Sequence, residues 1–177
     1  HDATPREPLR QQLGTALDEL RMAVDALQPT HGDLTTVLAT LRYRLQPRLQ
    51  AAGIAIDWQV DELPPIEGLT PTTVLQLQRV LQEAFTNALR HAQASRLWVR
   101  AWLDHGPPER LMLSVEDDGR GLPYDGGATA PAGGQGLSSM QARAQAIGAE
   151  LSVGPGAHGG TLVRLALPAG SAVGAPP

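Results

Sequence analysis

Residues 70–92 read TPTTVLQLQRVLQEAFTNALRHA and hold the best-defined element of the chain. Thr70 before Pro71 has the form of an N-cap followed by proline at the first helical position, where proline's missing N–H would have no partner anyway. Leu77, Leu81, Ala84, Phe85, Ala88 and Ala92 recur at three- and four-residue steps and share one face, so the spacing predicts a helix running to about Ala92. The period then changes to two. Leu97, Val99, Ala101 and Leu103 fall at every second position over Arg96–Asp104, and Leu111, Leu113 and Val115 do so over Arg110–Glu116. With His105-Gly-Pro-Pro between them, these runs read as a hairpin with one buried face.

Toward the N-terminus, Gly53 leads into a strand in which Ile54, Ile56 and Trp58 alternate with Ala55 and Asp57. Ahead of Gly53 a helix is expected from Asp33, a plausible N-cap, toward Ala52. Leu34, Val37, Leu38, Leu41 and Leu45 form its apolar stripe, and Pro47 is expected to kink or end it. A first helix is expected over Arg6–Leu27, with Leu9, Leu13, Leu17, Leu20, Val24 and Leu27 at helical spacing and Pro29 as its stop. Toward the C-terminus lies a glycine-rich stretch over Asp118–Gly136, whose length fits either a functional lid or a disordered loop. Its Gly and Ala composition around Tyr124–Gly133 predicts a lid that orders only with a ligand. A short helix over Leu137–Ile147 closed by Gly148, then strands over Glu150–Val153 and Thr161–Leu167, complete the pattern. The tail Ala169–Pro177 is expected to fray. The division expected is 1–30 as a helical segment, 31–168 as one domain and 169–177 as a disordered tail.

Composition excludes several classes. Of 177 residues 42% are hydrophobic, enough for a sizeable core, and with aromatics at 3% that core must be aliphatic. A net charge of −4 gives no basic footprint for nucleic acid or anionic membrane, so an anionic ligand must be met by local geometry. The absence of Cys removes disulfides, thiolate zinc sites and thiol nucleophiles, and fits a reducing cytoplasm. No apolar run reaches the roughly 18 residues of a membrane span.

Four short motifs carry candidate chemistry. Glu83, Asn87 and His91 are four apart and make a polar stripe beside the apolar face. Such a stripe is either a solvated border or a carboxylate and amide oxygen aimed at magnesium, which prefers hard oxygen ligands. Asp117-Asp-Gly-Arg-Gly121 follows a strand. It is either a turn or a place where Gly119 and Gly121 admit a flat ligand while Asp117 accepts a hydrogen bond from an exocyclic amine such as that of adenine. Gly133-Gly-Gln-Gly-Leu137 opens a helix, where backbone N–H groups suit phosphate, or is a linker. Gly159-Gly-Thr161 heads the last strand as a turn. There is no Gly-Lys-Ser/Thr of a P-loop, no dinucleotide fingerprint and no G-x-S-x-G, and the five histidines lack ligand-like spacing.

In this order the motifs resemble a known family. Glu83-Ala-Phe-Thr-Asn87-Ala-Leu-Arg-His91-Ala resembles the N box of histidine-kinase ATP-binding domains, Asp117-Asp-Gly-Arg-Gly121 the first glycine box and Gly134-Gln-Gly136-Leu137 the second. Gly136-Leu-Ser-Ser-Met140-Gln-Ala-Arg143, Ile147-Gly148-Ala-Glu-Leu151 and Gly160-Thr161-Leu-Val-Arg-Leu resemble the nitrate/nitrite-sensor-type subfamily. The resemblance runs from about Leu17 to Pro168 and is most specific from Gln82 onward.

The resemblance implies the α/β two-layer sandwich of the Bergerat/GHKL ATPases, a mixed sheet with helices on one face, here preceded by an N-terminal helix. It implies ATP as ligand and Mg²⁺ held by Asn87, with Glu83 as the polarising or general-base carboxylate. Asp117 would bind the adenine amine, with Gly119 and Gly121 shaping the pocket. Gly134, Gly136 and Leu137 would meet phosphates, Arg90 and His91 would offer basic contacts, and Thr161 would lie near adenine. The γ-phosphoryl would go to a His of a dimerisation helix and on to a response regulator. This part would be cytoplasmic without touching membrane, the complete protein being either free or anchored in the inner membrane. His1-Asp2 superficially fits the phosphoacceptor, but Pro5 breaks a helix at once and only one helix precedes Gln28-Pro29, so the acceptor helix is expected to be missing. Two alternatives share these boxes: a serine kinase of the anti-sigma-factor type, and a non-catalytic module whose lid nucleotide orders. The preceding helical segment and Gly136-Leu-x-x-Met140-x-x-Arg143 argue against the first.

Overall fold

A computed structural model describes residues 13, 14, 16, 17, 20, 24, 33–66, 69–121 and 135–169. The expectations placed on His1, on most of the Arg6–Leu27 helix, on the Tyr124–Gly133 lid, on Gly134 and on the tail past Ala169 lie outside these residues. Leu13, Gly14, Ala16, Leu17, Leu20 and Val24 are helical and exposed. Then follow α1 (Leu34–Ala51), β1 (Ala55–Val60), α2 (Pro71–Asn87) with a π-helical turn (Ala88–Ala92), β2 (Arg96–Asp104), β3 (Arg110–Asp117), α3 (Gln135–Ala146), β4 (Glu150–Pro155) and β5 (Thr161–Pro168).

Asp33 caps α1, its carboxylate accepting the Thr36 N–H at 3.2 Å and the Thr36 hydroxyl at 2.5 Å. Leu34, Val37, Leu38, Leu41 and Leu45 are buried along its inner face, and Leu49 extends the stripe. Pro47 neither ends the helix nor interrupts this stripe, contrary to expectation. It sits on the exposed side, and the carbonyl that it leaves without an N–H belongs to Tyr43, itself 84% exposed, so water can replace the lost bond. Thr70 caps α2 through its hydroxyl, which accepts the Thr73 N–H at 3.1 Å, with Pro71 at the first position.

The five strands are ordered β1-β2-β3-β5-β4, with β1 parallel to β2 and the other pairs antiparallel. Joining parallel strands requires a crossover, and α2 provides it. Register places Val99 opposite Val115 and Val115 opposite Val163, so one face is continuously aliphatic. Leu97, Val99, Ala101, Leu111, Leu113, Val115, Val163, Leu165 and Leu167 are buried on it, in one core with Phe85 of α2, Met140 and Ala144 of α3 and the α1 stripe. Phe85 is fully buried with its ring centroid 6.0 Å from that of Trp58, a burial worth about 1.5–3 kcal/mol. Arg96, Arg100 and Arg164 are exposed on the opposite face. The helices therefore cover one side of a mixed sheet, and the ends of α2, β3 and α3 meet there.

Candidate functional site

The apolar spacing of residues 70–92 extends without a break, but the α-helix stops at Asn87 and Ala88–Ala92 form a π turn. Gln93 then takes the left-handed conformation at φ 54°. A π turn is often found at functional sites, where it re-aims side chains that an α-helix would carry further round. Its end is fastened to the loop after β3. The Ala92 carbonyl accepts the Arg120 N–H at 2.9 Å, and Gly119 lies so close that a Cβ there would stand 2.7 Å from the Ala92 Cβ and clash with the Ala92 carbonyl. This contact fixes the polar edge of α2 relative to the end of β3.

Asp117 and Asp118 have different tasks. Asp118 is structural: its carboxylate accepts the Ser95 N–H at 2.8 Å, the Ser95 hydroxyl at 2.5 Å and the Arg96 N–H at 2.9 Å, closing the start of β2. Burial raises its carboxyl, but the Ser95 hydroxyl and the Arg96 and Ser95 N–H donors outweigh this and hold it below the usual carboxylate range. Asp117 is 6% exposed and accepts the Gly119 N–H at 2.9 Å through Oδ1. Its Oδ2 has no hydrogen bond among the described residues, so it can accept one from a ligand.

These parts enclose a cleft of about 1060 Å³, a size suited to a small-molecule ligand. Glu83, Asn87, Arg90 and His91 line it from α2 and the π turn, Asp117 and Gly121 from the end of β3, Gly136 and Leu137 from the start of α3, and Thr161 from β5. Nine of the sequence-derived candidates thus meet in one place. Gly119 does not line the cleft; it packs behind it on Ala92. Gly134 lies outside the described residues. At the opening of α3 a Cβ on Gly136 would overlap the Glu83 carboxylate, so this carboxylate lies against the N-terminal end of a helix, where free N–H groups favour anions.

The structure adds residues that sequence reading missed. Arg120 and Gln135 line the cleft, with Ser139 and Met140 on the first turns of α3. Arg120 lies inside the Asp117-Asp-Gly-Arg-Gly121 box, where its spacing alone does not tell a contact from a turn residue. Ser139 accepts a hydrogen bond from Arg143 Nε at 3.1 Å, an i,i+4 pair visible in the spacing. Val115, Val153 and Val163 form an apolar wall whose role depends on strand register and leaves no local signal. Among the described residues no cluster of three or more His, Asp or Glu side chains could hold a metal ion. Any divalent cation here would take Asn87 and at most two carboxylates, with the remaining ligands from phosphate and water. That is how Mg²⁺, which dehydrates reluctantly, is commonly bound, so the donor set fits it.

Residues 72–171 match the family of histidine kinase-, DNA gyrase B-, and HSP90-like ATPases. The chain belongs to this family. The matched segment runs from α2 through β5 and includes every element that lines the cleft. The chain is 34% identical over 154 residues to the signal transduction histidine-protein kinase/phosphatase UhpB of Salmonella typhimurium, covering 85% of this chain and 28% of that protein. It is 35% identical over 136 residues to the sensor histidine kinase MctS of Rhizobium johnstonii, covering 74% of this chain and 27% of that protein. The chain thus spans little more than a quarter of these curated relatives. The histidine kinase domain of the blue-light-activated histidine kinase EL346 of Erythrobacter litoralis superposes with a TM-score of 0.59 at 25% identity, over 87% of this chain and 76% of that one.

Proposed function

We propose that this chain is the ATP-binding catalytic part of a two-component sensor histidine kinase. It would transfer the γ-phosphoryl of ATP to a histidine on a dimerisation helix, for relay to a response-regulator aspartate. The observation that carries the reading is the convergence on one cleft of a free carboxylate oxygen on Asp117, the Glu83/Asn87 edge of α2 and the N-terminal end of α3.

Adenine lies against the valine wall and Thr161, its exocyclic amine donating to Asp117 Oδ2 while the Gly119 N–H holds Oδ1 in place. The phosphates run toward α3, where backbone N–H groups, Arg90, His91 and Arg120 offset their charge. A chain of net charge −4 thereby binds a polyanion through local geometry. Asn87 would hold Mg²⁺, which when bound supplies neutralisation of phosphate charge. The transfer forms a bond between the acceptor imidazole nitrogen and the γ-phosphorus and breaks the bond to the ADP oxygen. Glu83 offers a carboxylate to polarise the incoming imidazole, and the rest of catalysis is positioning and electrostatics.

Residues 31–168 are the ATPase unit, and the segment before them belongs to a dimerisation or linker helix. Among the described residues no helix is long and apolar enough to cross a membrane. A cytoplasmic site of action, with response regulator and acceptor helix as partners, follows from the proposed reaction. The test is incubation with γ-labelled ATP, Mg²⁺ and a separately made dimerisation hairpin. Acid-labile, base-stable label on the hairpin histidine is expected. Acid-stable label on serine, or nucleotide binding with no transfer, overturns the reading.

A further inference from the structure

Two consecutive carboxylates of β3 grip opposite sides of one turn. In an extended strand neighbouring side chains point to opposite faces, so Glu116 emerges on the open face of the sheet and Asp117 on the cleft side. Both are nearly buried, at 5% and 6% exposure. The turn is residues 156–160, between β4 and β5, closed by the Gly156 N–H donating to the Gly160 carbonyl at 3.0 Å. On the open face Glu116 Oε1 accepts the His158 backbone N–H at 3.0 Å and lies 2.9 Å from His158 Nδ1. The His158 ring stacks on Trp98, with centroids 3.9 Å apart and planes inclined by 15°. On the cleft side a Cβ on Gly160 would overlap Asp117 Oδ1 and stand 2.6 Å from the Gly119 nitrogen, whereas on the open face a Cβ on Gly156 would stand 2.8 Å from Glu116 Oε1. The next residue, Thr161, lines the cleft.

We propose that His158, which does not line the cleft, is a positioning residue for the nucleotide base. It acts through Glu116 and Trp98 on the 156–160 turn, and so sets Gly160 and Thr161 against Asp117. This inference rests on the adenine-nucleotide reading of the cleft. The turn itself is rich in glycine, and apart from His158 its one side chain is the methyl of Ala157. The imidazole supplies two anchors at once, a hydrogen bond to a buried carboxylate and a flat contact with an indole. Without it the turn keeps only its backbone bonds, and the close approach of Gly160 to Asp117 is no longer enforced. The energy at stake is that of a hydrogen bond to a charged group, about tenfold in affinity.

The test measures binding of non-hydrolysable ATP and GTP analogues with Mg²⁺ by calorimetry, on the 177-residue chain. The variants are His158→Ala, His158→Gln, Glu116→Gln and Asp117→Asn, with urea unfolding of each as a check on folding. His158→Ala is expected to weaken the adenine analogue by roughly tenfold, to leave the guanine analogue nearly unchanged and so to narrow the ratio between them. His158→Gln, which keeps a donor toward Glu116, should recover most of the loss. Glu116→Gln gives a second reading of the same ratio should the alanine variant unfold. An adenine-to-guanine ratio within about twofold of wild type in both His158→Ala and Glu116→Gln, while Asp117→Asn loses the adenine analogue, overturns the inference and leaves the cleft reading intact. Equal weakening of both analogues by His158→Ala with no recovery in His158→Gln overturns it too, since a merely structural role would do that. Wild-type affinity in Asp117→Asn overturns the cleft reading and the inference with it.

Discussion

Individual atoms at this site separate ligand contacts from scaffolding. Asp117 has one carboxylate oxygen engaged by Gly119 and the other open, whereas both oxygens of Asp118 are engaged by residues 95 and 96. On the proposed reading of the cleft, Asp117→Asn places an amide where the carboxylate accepts from the adenine amine, and Asn87→Asp adds a negative charge beside the phosphates. Each is expected to abolish binding of an ATP analogue by calorimetry while leaving the circular dichroism spectrum unchanged. Wild-type affinity in both would remove those assignments. Two glycines give a contrasting pair. Alanine at Gly119 meets the backbone carbonyl of Ala92, which cannot move without opening the π turn, so Gly119→Ala should cost about 3 kcal/mol in urea unfolding. Alanine at Gly136 meets only the end of the Glu83 side chain, which can swing away. Gly136→Ala should therefore stay within about 1 kcal/mol of wild type yet lower phosphoryl transfer, because the displaced group is the proposed catalytic carboxylate.

Among the elements, those with strong periodicity were legible and those shaped by contacts distant in sequence were not. Thr70-Pro71 and the stripe from Leu77 to Phe85 announce α2, and alternation in β2 and β3 announces the hairpin, because both patterns repeat within a few residues. The π turn at 88–92 has the same apolar spacing as an α-helix and is set by docking on Gly119 and Arg120, so no local pattern reveals it. Pro47 shows the converse: a strong local breaker is tolerated because the bond it removes faces solvent. Carboxylates that tie elements together also set the response to acid. Asp118 is held below its ordinary range as described. For Glu116, burial raises the carboxyl, but the His158 side chain and N–H donors outweigh it and leave it lowered. A carboxylate lowered in the folded state contributes stability that is complete above its unfolded pKa, near 4, and is lost as pH falls through the folded value. The urea midpoint should therefore fall on acidification through this range. Asp118→Asn should begin with a lower midpoint and show a shallower fall, whereas an unchanged acid slope would mean the pairing with Ser95 and Arg96 contributes nothing.

At the level of the whole molecule, the glycine boxes were readable as motifs, but their meeting in space depends on a sheet order that brings β5 between β3 and β4. The Glu116–His158 contact spans 42 positions, which is why the sequence offered Gly159-Gly160-Thr161 only as a turn. The same architecture says which part of the chain holds itself together. One core cluster runs from Leu34 in α1 to Leu167 in β5, and α1 contributes six buried side chains to it. Ahead of Asp33, Leu13, Leu17, Leu20 and Val24 are instead 52–63% exposed, so the described apolar side chains there add little to that core. A chain shortened to residues 31–169 should accordingly unfold in a single cooperative transition, with a urea midpoint close to that of the 177-residue chain, and should bind the ATP analogue with affinity within about threefold. Its phosphoryl transfer to a separate hairpin is the property expected to fall, since the segment removed, with its exposed leucines, is the one proposed as a dimerisation or linker helix. A shortened chain that unfolds at low urea would place α1's stability in the preceding segment and remove the boundary at residue 31. Shortening further to begin at Ala55 strips α1 from the core, leaving Val74, Leu77 and Phe85 with fewer partners, and should abolish cooperative unfolding.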